Sequence, residues 1–196
     1  MIQGVNQNMS FYISEVAAFA AFFVYGSFFE WTLHKYLMHQ PRWKYPFRAH
    51  ALVHHGLFRT GTDYFLSDKK YMRKVRFAWW NAPLIIALHV PAILLIQHLV
   101  GAPILAGACA AMAVYYALYE YLHYCMHIPM GRRLEQTRWF RWLDAHHHMH
   151  HKRHLNNLNV VLPLADAVFG SLISAKERIP APDRQQGAYR MEALLG

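Results

Sequence analysis

Three long apolar runs dominate the chain. Phe11–Phe29 is almost wholly apolar or small, with Glu15 as its one charge; Phe77–Leu99 carries none; Ile104–Tyr119 continues past Glu120 to about Tyr124. Some 20 helical residues at about 1.5 Å each cover the ~30 Å hydrocarbon core of a bilayer. The pattern therefore predicts spans over about 11–33, 77–99 and 104–124. Val100-Gly101-Ala102-Pro103 is a short uncharged turn suited to a tight helical hairpin. Polar stretches fill 35–76 and 125–196, and the tail from Ile179 reads as a loop with a frayed end. The expected fold is an all-α integral membrane protein, one domain over 1–196, with about three transmembrane helices and a cytoplasmic helical cap.

Charge orients this arrangement. All 20 Lys and Arg lie between Lys35 and Arg76 or between Arg132 and Arg190, and none lies in 1–34 or 77–131. With three spans, both basic stretches fall on one side, which the positive-inside rule makes cytoplasmic. The N-terminus and the 100–103 turn are then opposite. A bacterial inner membrane is expected ahead of the endoplasmic reticulum. No basic region precedes Phe11, and the first apolar run is too long for a cleavable signal. The run from Lys69 to Trp80 is expected to anchor at the interface, Lys and Arg on anionic headgroups and aromatic rings at the boundary. That placement, beside a span, turns the net charge of +9 toward membrane lipids and away from nucleic acid.

Composition agrees: 55% of residues are hydrophobic and 16% charged, where soluble domains carry about 25% charged residues. Cys109 and Cys125 are too few for a disulfide framework and form no CxxC pair. Both read as reduced structural thiols.

All but His89 and His98 of the 15 histidines fall at 34–55, 123–127 and 146–154. On an α-helix of about 100° per residue, His123 and His127 share a face at about 40°. His147, His150 and His151 fit within an arc of about 100°, with His146 and His148 on its flanks and His154 returning to the same face. His146 and His154 are thus reserve ligands. His50 and His54 share a face, but His34 and His39, like His50 and His55, sit about 140° apart. Those two pairs require a helix end, a bend or two different metals. Ten histidines remain as metal-ligand candidates: His34, His39, His50, His54, His55, His123, His127, His147, His150 and His151. One ion takes about four protein ligands, so ten suit two ions.

Glu30 lies four residues before His34 and Glu120 three before His123. Each is placed to receive the second imidazole N–H, as carboxylates near metal-bound histidines do. Direct ligation by either stays open. Asp144 and Asp166 fit solvated or helix-capping roles equally well. His98 reads as interfacial, and His89 as hydrogen-bonded to a neighbouring helix or lining a cavity.

HKYLMH at 34–39, HALVHH at 50–55, HYCMH at 123–127 and HHMHH at 147–151, followed by Asn156–Leu172, resemble the fatty acid hydroxylase/sterol desaturase superfamily over about 28–175. A departure is the middle box, with three residues between His50 and His54-His55 where the family often has two. The first box, Glu30–His39, also resembles the bacterial carotenoid hydroxylases. The resemblance implies two iron ions, replaceable by zinc in a purified sample. It also implies O2-dependent hydroxylation or desaturation of an unactivated C–H bond in a fatty acyl lipid or sterol, with a carotenoid ring as the alternative substrate. No glycine-rich dinucleotide fingerprint or cysteine cluster set is present, so a separate ferredoxin, cytochrome or reductase is expected to deliver electrons. Non-enzymatic alternatives are a haem-binding membrane cytochrome and a metal transporter. Oligomeric state leaves no trace in the sequence.

Overall fold

The computed structural model describes residues 2–173 and 182–195, and the side chains from residue 9 onward within those ranges. The regular structure among these residues is all helical, with no strand. Eight α-helices follow in order: α1 (Ile2–Leu33), α2 (Lys44–Phe47), α3 (His55–Leu57), α4 (Asn81–Val100), α5 (Leu105–His127), α6 (Arg138–Lys152), α7 (Leu164–Val168) and α8 (Arg184–Leu195). Two π-helical stretches, His34–Met38 and Arg48–His54, lie between α1 and α3. The segments long and apolar enough to cross a membrane are Met9–Met38, Asn81–Val100 and Leu105–His127. Their number matches the sequence expectation. The second starts at Asn81 rather than Phe77, and the third runs through the histidines to His127.

The backbone divides into two compact units. The first comprises Met1–Gly26 and Ala78–Leu118. Gly101 closes α4 in a left-handed conformation at φ 65°, which costs glycine little. The side chain of Gln97 then accepts from the Ile104 and Leu105 amides at 2.9 and 3.2 Å, capping the start of α5. Ile93, Ala108 and Met112 form a core with Phe22, Ile85 and Ile86 around it. The opposite surface stays apolar, with Leu88, Leu95 and Leu99 exposed, as for helices that face lipid. Glu15, the charge inside the first apolar run, accepts from the Gly107 amide at 2.5 Å. His89 stays within this unit, its Nδ1 against the Ile85 carbonyl at 2.8 Å and its Nε2 against the Tyr25 hydroxyl at 3.0 Å.

The second unit comprises Ser27–Phe77 and Tyr119–Gly196. Phe58, Leu66, Val75, Ile128 and Met191 form one core, and Trp31, Leu158 and Ala165 another. α6 begins at Thr137, whose hydroxyl accepts from the Phe140 amide at 3.2 Å. The tail departs from expectation. Residues 179–181 lie outside the described residues, but 184–195 is a docked helix with Gly187 and Met191 buried. Asp183 caps it, accepting from the Gln185 amide at 2.8 Å. Arg184 anchors it to Asp144 at 2.8 Å and Glu135 at 3.1 Å.

A Cβ added at Gly107 would lie 2.0 Å from the Glu15 carbonyl oxygen, a backbone atom that cannot swing aside. Gly107→Val is expected to lower stability by about 1–3 kcal/mol or more through overpacking, read as a lower thermal midpoint in detergent. Gly56→Ala, where the added carbon meets nothing within 4 Å, should leave the midpoint in place.

Candidate metal centre

The ten clustered histidines come together in two groups of five. His34, His39, His50, His55 and His150 form one; His54, His123, His127, His147 and His151 form the other. Within each group the candidate ligand nitrogens all lie within 4.8 Å of one another, and every member is buried except His39, which is half-buried. The groups adjoin. His54 and His55 are consecutive but serve different groups, as do His150 and His151, and the His55 and His151 ring centroids are 4.4 Å apart.

Backbone geometry explains how the awkwardly spaced pairs converge. A π-helix closes i→i+5 hydrogen bonds, which widens the turn and brings residues five apart toward one face. The His39 amide donates to the His34 carbonyl at 3.2 Å, and the His55 amide donates to the His50 carbonyl. The wider turn takes the place of the bend, helix end or second metal that α-helical spacing demanded, and all four residues enter one group.

Ring orientation follows from the second nitrogen. A carbonyl oxygen only accepts, so an imidazole Nδ1 against one carries the proton and leaves Nε2 bare. His34 Nδ1 donates to Leu158 at 2.5 Å and His150 Nδ1 to Asn156 at 3.0 Å. In the other group, His54 donates to Lys74 at 3.3 Å, His123 to Val75 at 3.0 Å, His127 to Tyr64 at 2.8 Å, and His151 to Phe58. The opposed Nε2 atoms are close: His34–His50 2.8 Å, His50–His55 3.1 Å and His55–His150 3.1 Å in the first group. His127–His147 is 3.1 Å and His147–His151 3.0 Å in the second. Two nitrogens about 2.1 Å from one ion and at right angles to each other would be about 3 Å apart. The Nε2 atoms of His54 and His123 are buried with no hydrogen-bond partner. The donor set and its spacing fit metal ions.

Burial holds the rings neutral. It pushes His39 down to about 2, helped by His34 and His154. Burial, reinforced by neighbouring imidazoles, also holds His50, His54, His55, His147, His150 and His151 well below the ordinary histidine value.

The carboxylates stand elsewhere than expected. The partner of His34 Nδ1 is the Leu158 carbonyl, while Glu30 accepts from the Val160 amide at 2.5 Å and the Asn159 side chain at 3.1 Å. The partner of His123 Nδ1 is the Val75 carbonyl, while Glu120 accepts from the Phe77 amide at 3.1 Å. Each glutamate thus pins the segment whose carbonyl orients the histidine. Asp166 and Asp144 are buried, not solvated. Asp166 accepts from the Leu158 and Asn159 amides at 2.9 and 2.8 Å, from the Ser171 hydroxyl at 2.6 Å and from His146 Nε2 at 3.1 Å. Burial pushes its pKa up, and the donors from His146, Ser171 and Asn159 outweigh that and hold it below the ordinary value. Asp144 accepts from the Tyr64 hydroxyl at 3.0 Å. His146 is therefore taken up by Asp166. His154 lies outside both groups, with Nε2 on the His151 carbonyl at 3.1 Å. His148 Nε2 accepts from the Gly61 amide at 3.2 Å.

Two outcomes are expected. An unfolded chain protonates these histidines from about pH 6.5 downward, whereas the folded centre resists until far lower. The stability they give is therefore intact above about pH 6.5 and lost as pH falls toward the folded values. Thermal midpoints of chelator-treated protein should be flat above that pH and fall below it, as the unfolding free energy drops by roughly 1.4 kcal/mol per pH unit for each histidine held neutral. Separately, Glu120→Ala should loosen the Val75–Phe77 segment and weaken metal retention by about 10–100-fold, measured by chelator competition, with Glu120→Gln closer to wild type.

The profile of the fatty acid hydroxylase family matches residues 19–171. No curated protein and no solved structure matches the chain. The matched region is most of the sequence and contains every histidine of both groups, as the sequence resemblance implied, and the chain belongs to the fatty acid hydroxylase family.

Proposed function

We propose that this chain is an O2-dependent membrane hydroxylase acting on an unactivated C–H bond of a lipid-like substrate, with one iron ion in each histidine group. The observation that carries the reading is the pair of adjoining five-histidine groups, whose Nε2 atoms face one another at 2.8–3.1 Å. Iron bound there would supply O2 reduction and the one-electron chemistry that an unactivated C–H bond requires. The family match supports hydroxylation of an acyl lipid ahead of the carotenoid ring.

The chain's own part is positional and electrostatic. The carbonyls of Leu158, Asn156, Lys74, Val75, Tyr64 and Phe58 fix the tautomers, so the ligand nitrogens are aimed before any ion arrives. The imidazoles are neutral, so the ligand set brings no anionic charge of its own, while Glu30, Glu120 and Asp166 lie one hydrogen-bonded segment away. Burial keeps bulk water from the rings. The haem alternative would need a histidine at bundle depth, and both nitrogens of His89 are occupied within its own unit.

In this reading the basic stretches and the centre face the cytoplasm, by the positive-inside rule. Electrons come from a separate ferredoxin, cytochrome or reductase, and the basic face suits an acidic donor.

The test is metal content and product formation in one preparation. Iron-reconstituted protein should hold about two non-haem ions per chain, show no Soret band, and convert a fatty acyl lipid to its alcohol by mass spectrometry when given a reductant and O2. His127→Ala and His150→Ala, one from each group, should each lose at least one ion and all turnover while remaining in the membrane fraction. Unchanged metal content in both variants, or a Soret band in wild type, would overturn the proposal.

A further inference from the structure

α7 and its flanks are polarised in the reverse of a water-facing helix. Between Leu155 and Ile173 the one ionisable residue is Asp166. It is 0% exposed, while Val168 and Phe169 are 60% and 52% exposed, with Leu164 and Leu172 also at the surface. In water the charge would turn outward and the apolar side chains inward.

The neighbours of this segment belong to the first candidate span. Phe169 packs on Trp31 at 4.4 Å and on Phe28 at 5.8 Å between ring centroids. Ser27 donates to the Leu162 carbonyl at 2.5 Å and accepts from the Ala165 amide at 3.0 Å. Ser27, Phe28 and Trp31 all lie within Met9–Met38. They sit 4–8 residues before Lys35, the first charge after Glu30, roughly 6–12 Å at helical rise. A headgroup layer accounts for only about 5–8 Å on each side of a bilayer, so Ser27 and Phe28, at roughly 10–12 Å, lie within the hydrocarbon and Trp31, under the Lys35 ammonium at 4.4 Å, lies at its edge.

Much of the irregular backbone meets the condition that hydrocarbon sets. Irregular chain at that depth must satisfy its polar groups internally. The Ser171 and Leu172 amides donate to the Asp166 carbonyl at 2.9 and 3.0 Å, the Asn157 amide donates to the Ser171 carbonyl at 3.0 Å, and the Ile173 amide donates to Asn157 Oδ1 at 2.8 Å. Asp166 and Glu30 take the amides of residues 158–160.

We propose that residues 160–173 form a re-entrant element immersed in one leaflet beside the end of the first span, with Leu164, Val168 and Phe169 against lipid chains. The cytoplasmic stretch expected over 125–196 is then interrupted by a segment at bilayer depth. Trp142, exposed and stacked on His146 at 5.5 Å, marks the aqueous edge, with Arg138 and Arg141 beside it. The inference rests on the first span crossing the membrane, and no step of it depends on which metal is bound.

The test is collisional accessibility of a nitroxide in phosphatidylcholine nanodiscs. Spin labels are placed at Val168→Cys, at Leu164→Cys as a second site should the first fold poorly, and at the exposed Lys152→Cys, all with Cys109 and Cys125 replaced by alanine. At 168 and 164, collisions with dissolved O2 should exceed those with a water-soluble nickel chelate several-fold, and at 152 the order should reverse. Nickel accessibility at 168 and 164 equal to that at 152 would place the segment in water and overturn the proposal. Exclusion of both reagents at 168 and 164 would mean that another protein surface, such as a second copy of the chain, covers the face, and would overturn it equally.

Discussion

The constraint on which the rest of this structure depends is the convergence of bare imidazole nitrogens. Six of the ten clustered histidines spend their Nδ1 proton on a main-chain carbonyl. Their bare Nε2 atoms gather in a dry interior against the Nε2 atoms of His50, His55 and His147, at 2.8–3.1 Å. Protonation is opposed by burial, and a second tautomer at any of these six would strand a carbonyl. A cation bound among these nitrogens would be held by several lone pairs at once. Binding energy there is also folding energy, because the unfolded chain has no preformed site. The loops that supply the carbonyls are therefore as much a part of the centre as the rings.

Those loops are held by the same device twice. Glu30 lies a turn before His34 and grips the amide of Val160, two residues beyond the carbonyl that orients His34. Glu120 lies nearly a turn before His123 and grips the amide of Phe77, two residues beyond the carbonyl that orients His123. Negative charge would reach an ion bound there through a short piece of backbone. A carboxylate so placed offsets cationic charge without competing for coordination, and it ties each helix end to the segment its histidine needs.

The sequence displays some of this and hides the rest, for physical reasons. Three spans are legible because hydropathy is local, and the ten histidines because ligand type and clustering are local too. Their division into two groups is not: α-helical periodicity separates His34 from His39 and His50 from His55, and only the π-helical hydrogen bonds reunite them. The partners of the rings are invisible in principle, since a main-chain carbonyl carries no residue signature, and this is why Glu30 and Glu120 are one step removed from their expected place. α8 was legible in part. Asp183 followed by Arg184-Gln185-Gln186 is a helix start, but Gly187 reads as a breaker until packing shows its role, since an added carbon would come within 2.7–2.8 Å of Phe65 and Pro129.

α6 joins these features. Residues 146–151 of this helix are all buried, so no face of its last turns remains for solvent. His147 and His151, a turn apart, enter one group, and His150 enters the other. His146 reaches Asp166, the organiser of the 157–173 segment, and His148 receives the Gly61 amide. A slip of one residue in this helix would therefore forfeit both groups and the Asp166 contact together. Five imidazoles in six positions are costly to bury, and they are tolerable because each ring meets a polar partner at its own bearing around the helix. Such a helix has one register that satisfies everything, which ties the geometry of the two groups to the placement of the segment beyond them.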